Sequence, residues 1–184
     1  MLNRIANMPF HRALAVLALL CLGLLPLSGC VYSHRDLAGE LAPEFPLSDG
    51  TYLDDKGAEL HVEKADLLYR VTDPDDEIYE IAFFRIPDYP GYVVRLNPER
   101  VGTPAHANPK VFAYGFARET AGAMTFYVVD KDASLPPEVA AHVERRPTDD
   151  SGFGVRDEKD TLRVLGLVAN HAQLKHLMTL TPKP

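Results

Sequence analysis

Short runs of apolar, aromatic and β-branched residues, each ended by a tight-turn signal, limit what this chain can fold into. Asp54-Asp55-Lys56-Gly57 separates residues 51–53 from residues 59–62. Its carboxylates can accept bonds from nearby amides, and Gly57 can take positive φ, so a hairpin is expected. Asp73-Pro74-Asp75-Asp76 divides residues 67–72 from 77–86, and Pro87-Asp88-Tyr89-Pro90-Gly91 divides those from 92–97. After a loop rich in proline and small residues, 98–109, two further runs at 110–118 and 123–130 flank Glu119-Thr120-Ala121-Gly122. In the first of these, Phe112, Tyr114 and Phe116 alternate with Ala113, Gly115 and Ala117, the two-residue period of a strand. Met124, Phe126 and Val128 form a matching set, as do Tyr92, Val94 and Leu96. The pattern predicts that all three sets share one aromatic core.

The last third mixes elements. Ser134-Leu135-Pro136-Pro137-Glu138 reads as a helix start, with prolines in the first turn where a missing amide hydrogen costs least, followed by Val139, Ala140, Val143 and an Arg145-Arg146 end. Residues 148–152 read as loop. Residues 153–155 and 162–167 are expected as a last hairpin around Asp157-Glu158-Lys159-Asp160, the alternative being a helix beginning at Asp160. Asn170 followed by Gln173 has the spacing of a capping box and opens the apolar set Leu174, Leu177 and Met178, which predicts a C-terminal helix of about ten residues. The expected fold is mainly β: an antiparallel meander of roughly eight or nine strands, closed as a small barrel or folded as a sandwich, with one or two short helices including the C-terminal one.

The amino terminus carries an address. Arg4 and Arg12 precede an apolar stretch at 13–27, too short and wrongly flanked for an ordinary transmembrane helix, and the stretch ends in Leu27-Ser28-Gly29-Cys30. This segment resembles the signal of bacterial lipoproteins. The resemblance covers residues 1–30 and implies cleavage between Gly29 and Cys30, a diacylglyceryl group on the Cys30 thiol, and acylation of the new amino group. Val31 stands where an Asp holds some such lipoproteins in the inner membrane, so the resemblance implies the periplasmic side of the outer membrane in a Gram-negative host. Cys21 would be discarded with the leader, leaving a mature chain whose only thiol carries lipid and in which no disulfide can form.

Removing residues 1–29 from the 184 leaves a length suited to one domain stabilised by packing alone. The leader holds two of the 19 basic residues and none of the 26 acidic ones, so the mature chain is more acidic than the formal −7 of the whole. Such a charge argues against nucleic acid and against wide adhesion to anionic lipid. Residues 30–46 read as the lipidated end and its tether, with a short helix around 36–41 and a reach of about 20 Å. Residues 47–184 form the expected β-rich domain.

Signatures of chemistry are sparse. The serines remaining after the leader, Ser33, Ser48, Ser134 and Ser151, lie outside any Gly-x-Ser-x-Gly, and there is no glycine-rich phosphate loop. His171 and His176 are five apart, a spacing that sends two helical side chains in different directions. Asp73, Asp75, Asp76 and Glu77 could offer oxygen ligands to calcium, but the string lacks the spacing and central glycine of a calcium loop and is what a tight turn selects. His61 is expected to face solvent on a strand. Tyr89, at a turn tip, is either an exposed contact residue or a ring folded over a sheet edge, the latter being preferred. No catalytic residue, cofactor or metal site is assigned.

The expected role is a membrane-anchored envelope lipoprotein whose β-domain binds a protein or another envelope component without catalysis. A second reading is a carrier of a small apolar ligand, since a meander with a terminal helix loosely resembles lipocalin-type barrels in order of elements. An enzyme of unfamiliar type comes third.

Overall fold

The computed structural model describes residues 29–96, 111–145 and 152–184. Residues 1–28 of the expected leader 1–29, the proline-rich loop 98–109 and residues 148–151 of the expected loop 148–152 lie outside the described residues.

The turn signals deliver hairpins. Strands β3 (Gly50–Leu53) and β4 (Glu59–Ala65) are joined by a turn in which Asp54 Oδ1 accepts from the amides of Lys56 and Ala58, at 2.8 and 2.7 Å, while Gly57 takes φ +79°. Between β5 (Leu68–Thr72) and β6 (Ile78–Phe84), Asp73 Oδ1 accepts from the amides of Asp75 and Glu77, both at 2.9 Å. β7 (Tyr92–Leu96), β8 (Phe112–Thr120) and β9 (Ala123–Val129) continue the meander, and positive φ at both Ala121 and Gly122 makes the tight β8–β9 turn. A final strand, β12 (Leu174–Pro182), pairs with β9 along most of its length and with β3 through Thr181 and Pro182. β3 to β9 and β12 thus close an eight-stranded antiparallel barrel.

The remaining elements decorate it. β1 (Cys30–Ser33) runs antiparallel to the first part of β8 and parallel to β11 (Gly152–Val155), which pairs in turn with β10 (Val143–Arg145). β2 (Pro43–Glu44) pairs with the end of β6. A 3-10 turn η1 (Leu37–Gly39) follows β1, helix α1 (Pro137–Ala140) begins at the expected prolines, and a 3-10 turn η2 (Glu158–Asp160) leads into helix α2 (Thr161–His171).

Four expectations need correction. The large rings do not share one core, because both faces of β8 are covered. Tyr92, Val94, Met124 and Phe126 fill the lumen against the small inner face of Ala113, Gly115 and Ala117. Phe112, Tyr114 and Phe116 point outward and pack under Val164, Leu165, Val168 and Ala169, the apolar face of α2.

The last two elements are exchanged: 162–167 is helix, and 174–178 is strand. A β-bulge between His176 and Met178 breaks the two-residue phase of β12, giving Leu174, Leu177 and Met178 a helix-like spacing. Closing the barrel then decides the conformation, since without β12 the edges of β3 and β9 would lie open. Arg145 ends no helix either; residues 143–145 are β10.

Residues 31–46 are not a free tether. Val31 and Leu37 are fully buried, and β1 lies between two neighbours in the sheet. The short helix expected around 36–41 is the single turn η1, capped by Asp36 accepting from the Ala38 amide at 3.0 Å.

Phe83 is the hub of the lumen. Its ring meets Tyr69 and Tyr92 edge-on, with centroids 5.7 and 5.8 Å apart, and Phe126 at 6.0 Å. Phe83→Ala should therefore lower unfolding free energy by about 3–5 kcal/mol in urea denaturation, against little change for an exposed β4 control such as Glu63→Ala.

Candidate functional site: Cys30 and the amino-terminal clasp

Cys30 opens β1 with no exposed surface, packed with Tyr32, Ala113 and Val128 against Leu96, Val111 and Leu177. These residues line the barrel end at which β7 finishes and β8 begins. Burial pushes the Cys30 thiol up to about 12. Backbone contacts on either side are tight. Gly29 takes φ +95° and its carbonyl accepts from the Val129 amide at 2.8 Å, so a Cβ there would come within 2.0 Å of Val129 O. Across the parallel pairing, Tyr32 lies over Gly152, where a Cβ would sit 2.4 Å from the tyrosine ring.

After β1 the chain is fastened to the outside of the barrel at three places. Tyr114 donates its hydroxyl to the Arg35 carbonyl at 2.6 Å and accepts from the Leu37 amide at 3.2 Å. Arg95, on the outward face of β7, donates through Nη1 to both carboxylate oxygens of Asp36, at 2.6 and 2.7 Å. Ser33 Oγ donates to Glu158 and lies 2.9 Å from Thr161 Oγ1, while Arg35 binds the Glu40 carboxylate at 2.5 Å and the carbonyls of Glu158 and Lys159. The clasp thus ties residues 33–40 to β7, β8 and the start of α2.

The barrel end where β4 finishes is closed differently. Residues 45–48 run over it, held by Tyr69, whose hydroxyl donates to the Leu47 carbonyl at 2.6 Å, and by Tyr52, whose hydroxyl donates to the Ser48 carbonyl at 3.0 Å. Phe45 meets Tyr69 edge-on at 5.5 Å, and the Lys64 ammonium sits 3.7 Å from the Phe45 ring centre.

The other residues singled out by sequence do not converge. His171 ends α2, 3.7 Å from Glu138, and His176 lies on β12, 3.5 Å from Asp55. The Asp73 carboxylate is engaged by its own turn, and His61 is exposed on β4. Tyr89 is buried, its ring edge-on against Phe116 on the outer face of β8 with Arg118 above it, and not at an exposed turn tip. Among the described residues no group of three or more His, Cys, Asp and Glu side chains is placed to hold a metal ion. Nor is any described helix long and apolar enough to cross a membrane. Sequence reasoning missed the clasp. Its one linear signal was Asp36 before Leu37 and Ala38, read only as a local helix start.

No family model, curated protein or solved structure matches the chain.

Two measurements probe these contacts. Asp36→Asn keeps an oxygen for the Ala38 amide but removes the charge facing Arg95, and should lower stability by roughly 1–2 kcal/mol in denaturant unfolding. An unchanged midpoint would mean that the pair is not sustained in solution. Alkaline unfolding reads the buried hydroxyls. Burial pushes the Tyr69 and Tyr114 phenols up to about 12 each, whereas an unfolded tyrosine ionises near about 10. The native state therefore holds protons that the unfolded chain releases; stability is full below about pH 10 and falls as pH rises toward about 12. Tyr69→Phe and Tyr114→Phe should each flatten part of that fall.

Proposed function

We propose that this chain is an envelope lipoprotein, held to a membrane through lipid on Cys30, whose barrel is a non-catalytic binding domain. The observation that carries the reading is Leu27-Ser28-Gly29-Cys30 behind a basic and then apolar leader. In the lipidation step Cys30 Sγ forms a thioether to a glycerol carbon of a phospholipid. That carbon's bond to the phosphate breaks, and the thiol proton leaves with the head group. Two or three acyl chains, at about 0.8 kcal/mol per buried methylene, make such an anchor effectively permanent. The domain needs no disulfide, because the barrel is closed and its lumen and its helix-covered face are both packed.

The carrier reading draws on the ring-lined lumen. The Phe83 ring, in contact with Tyr69, Tyr92 and Phe126, fills the middle of that space, which favours a surface that binds over a cavity that carries.

Native mass spectrometry of the protein extracted gently from its own membrane tests both parts. The account expects a chain beginning at Cys30 with the added mass of lipid, and a reproducible protein-sized adduct. A chain retaining residues 1–29 without lipid would contradict the anchor. A retained small apolar molecule in place of a protein would contradict the binding-domain reading in favour of the carrier.

A further inference from the structure

Lipidation and the position of Cys30 are in conflict, and the conflict has a structural outcome. We infer that lipid on Cys30 withdraws residues 30–32 from the sheet and opens a strand-wide slot between β8 and β11, so that the clasp at 33–40 is the real boundary between anchor and domain. The inference rests on the lipidation reading above and deepens it.

The geometry leaves no place for the modified residue. Cys30 is fully buried, and its side chain shares a packed cluster with Ala113, Val128 and Tyr32 at the barrel end. A diacylglyceryl group on Sγ cannot be added there without displacing either β1 or the cluster. The cluster's other residues belong to the barrel, Ala113 on β8, which β7 holds, and Val128 on β9, which β12 holds, whereas β1 is a short strand near the chain's new end. β1 is held chiefly by the burial of the Cys30, Val31 and Tyr32 side chains, about eleven carbons, with a few ladder bonds and a further contact of Tyr32. What pulls on it is on the order of thirty methylenes in two acyl chains seeking the bilayer. The lipid wins.

The withdrawal stops at Ser33. From there the chain is fixed by Ser33 to Glu158, by Asp36 to Arg95, and by the Arg35 carbonyl and Leu37 amide to the Tyr114 hydroxyl. None of these contacts involves residues 30–32. In the unlipidated chain the slot is filled by the protein's own residues; in the mature protein the facing edges of β8 (113–114) and β11 (152–154) become free, while Phe112 keeps its pairing with Ser33. Maturation thereby frees backbone amides and carbonyls that the precursor keeps paired.

Hydrogen exchange read by mass spectrometry, on the lipidated wild-type protein and the full-length Cys30→Ala chain in matched membrane vesicles, tests this. Segments 113–114 and 152–154 should exchange at least tenfold faster in the lipidated protein, with the β4–β5 hairpin equally protected in both as the control for folding. Equal protection of those segments, in a sample whose Cys30 peptide carries lipid mass, would overturn the inference and leave the anchor standing. A Cys30 peptide without lipid would overturn the anchor itself, and the inference with it. Gly152→Ala gives a second readout. Its methyl would collide with Tyr32 only when β1 is docked, so it should weaken the protection of β11 in the Cys30→Ala chain and leave the lipidated protein unchanged. An equal loss in both would show that β1 stays in place.

Discussion

The structure depends on one strand being used on every side. β8 pairs with β7 along one edge, and it divides the other edge between β1, at residues 112–114, and β9, at residues 116–120. Its inner face is small, which leaves the lumen to rings from β5, β6, β7 and β9. Its outer face is aromatic, which gives α2 something to cover. A strand buried on both faces loses the clean alternation of apolar and polar residues, and β8 alternates large with small instead. Gly115 belongs to the small set for a specific reason: a Cβ there would approach the Tyr127 carbonyl to 3.1 Å.

This double use explains what the sequence revealed and what it hid. The hairpin turns were legible because their chemistry is local. Asp54 and Asp73 bond amides within four residues, and Gly57 takes the positive φ expected of it. The mainly β class and its antiparallel meander followed from that, with barrel and sandwich both left open. The direction in which Phe112, Tyr114 and Phe116 point was not legible, since a two-residue period says that the rings share a face but not which face meets the lumen. The identity of the last two elements was hidden by the β12 bulge, and a long-range requirement, the pairing of β12 with both β9 and β3, overrode the local pattern.

The amino-terminal segment is the clearest case of information that is not local. Ser33, Arg35 and Asp36 look like tether residues because they are polar, yet each meets a partner more than fifty residues away. The Asp36 carboxylate both caps η1 and neutralises Arg95, a largely buried cation stacked 5.4 Å from the Phe112 ring. Fastened in this way, residues 33–40 leave no more than two or three positions between the clasp and Cys30. Under the anchor proposed above, a barrel held so closely would stand at the bilayer surface with little freedom to search beyond it.

The central claim is that residues 30–40 belong to the fold. Backbone NMR of the unlipidated chain tests it most directly, through cross-strand nuclear Overhauser contacts. The account predicts contacts from Val31 to Tyr114 on one side and to Phe153 on the other, the pairs set by the antiparallel and parallel registers. Random-coil shifts for residues 30–40, with no contact to β8 or β11, would contradict it and restore the segment to a free tether.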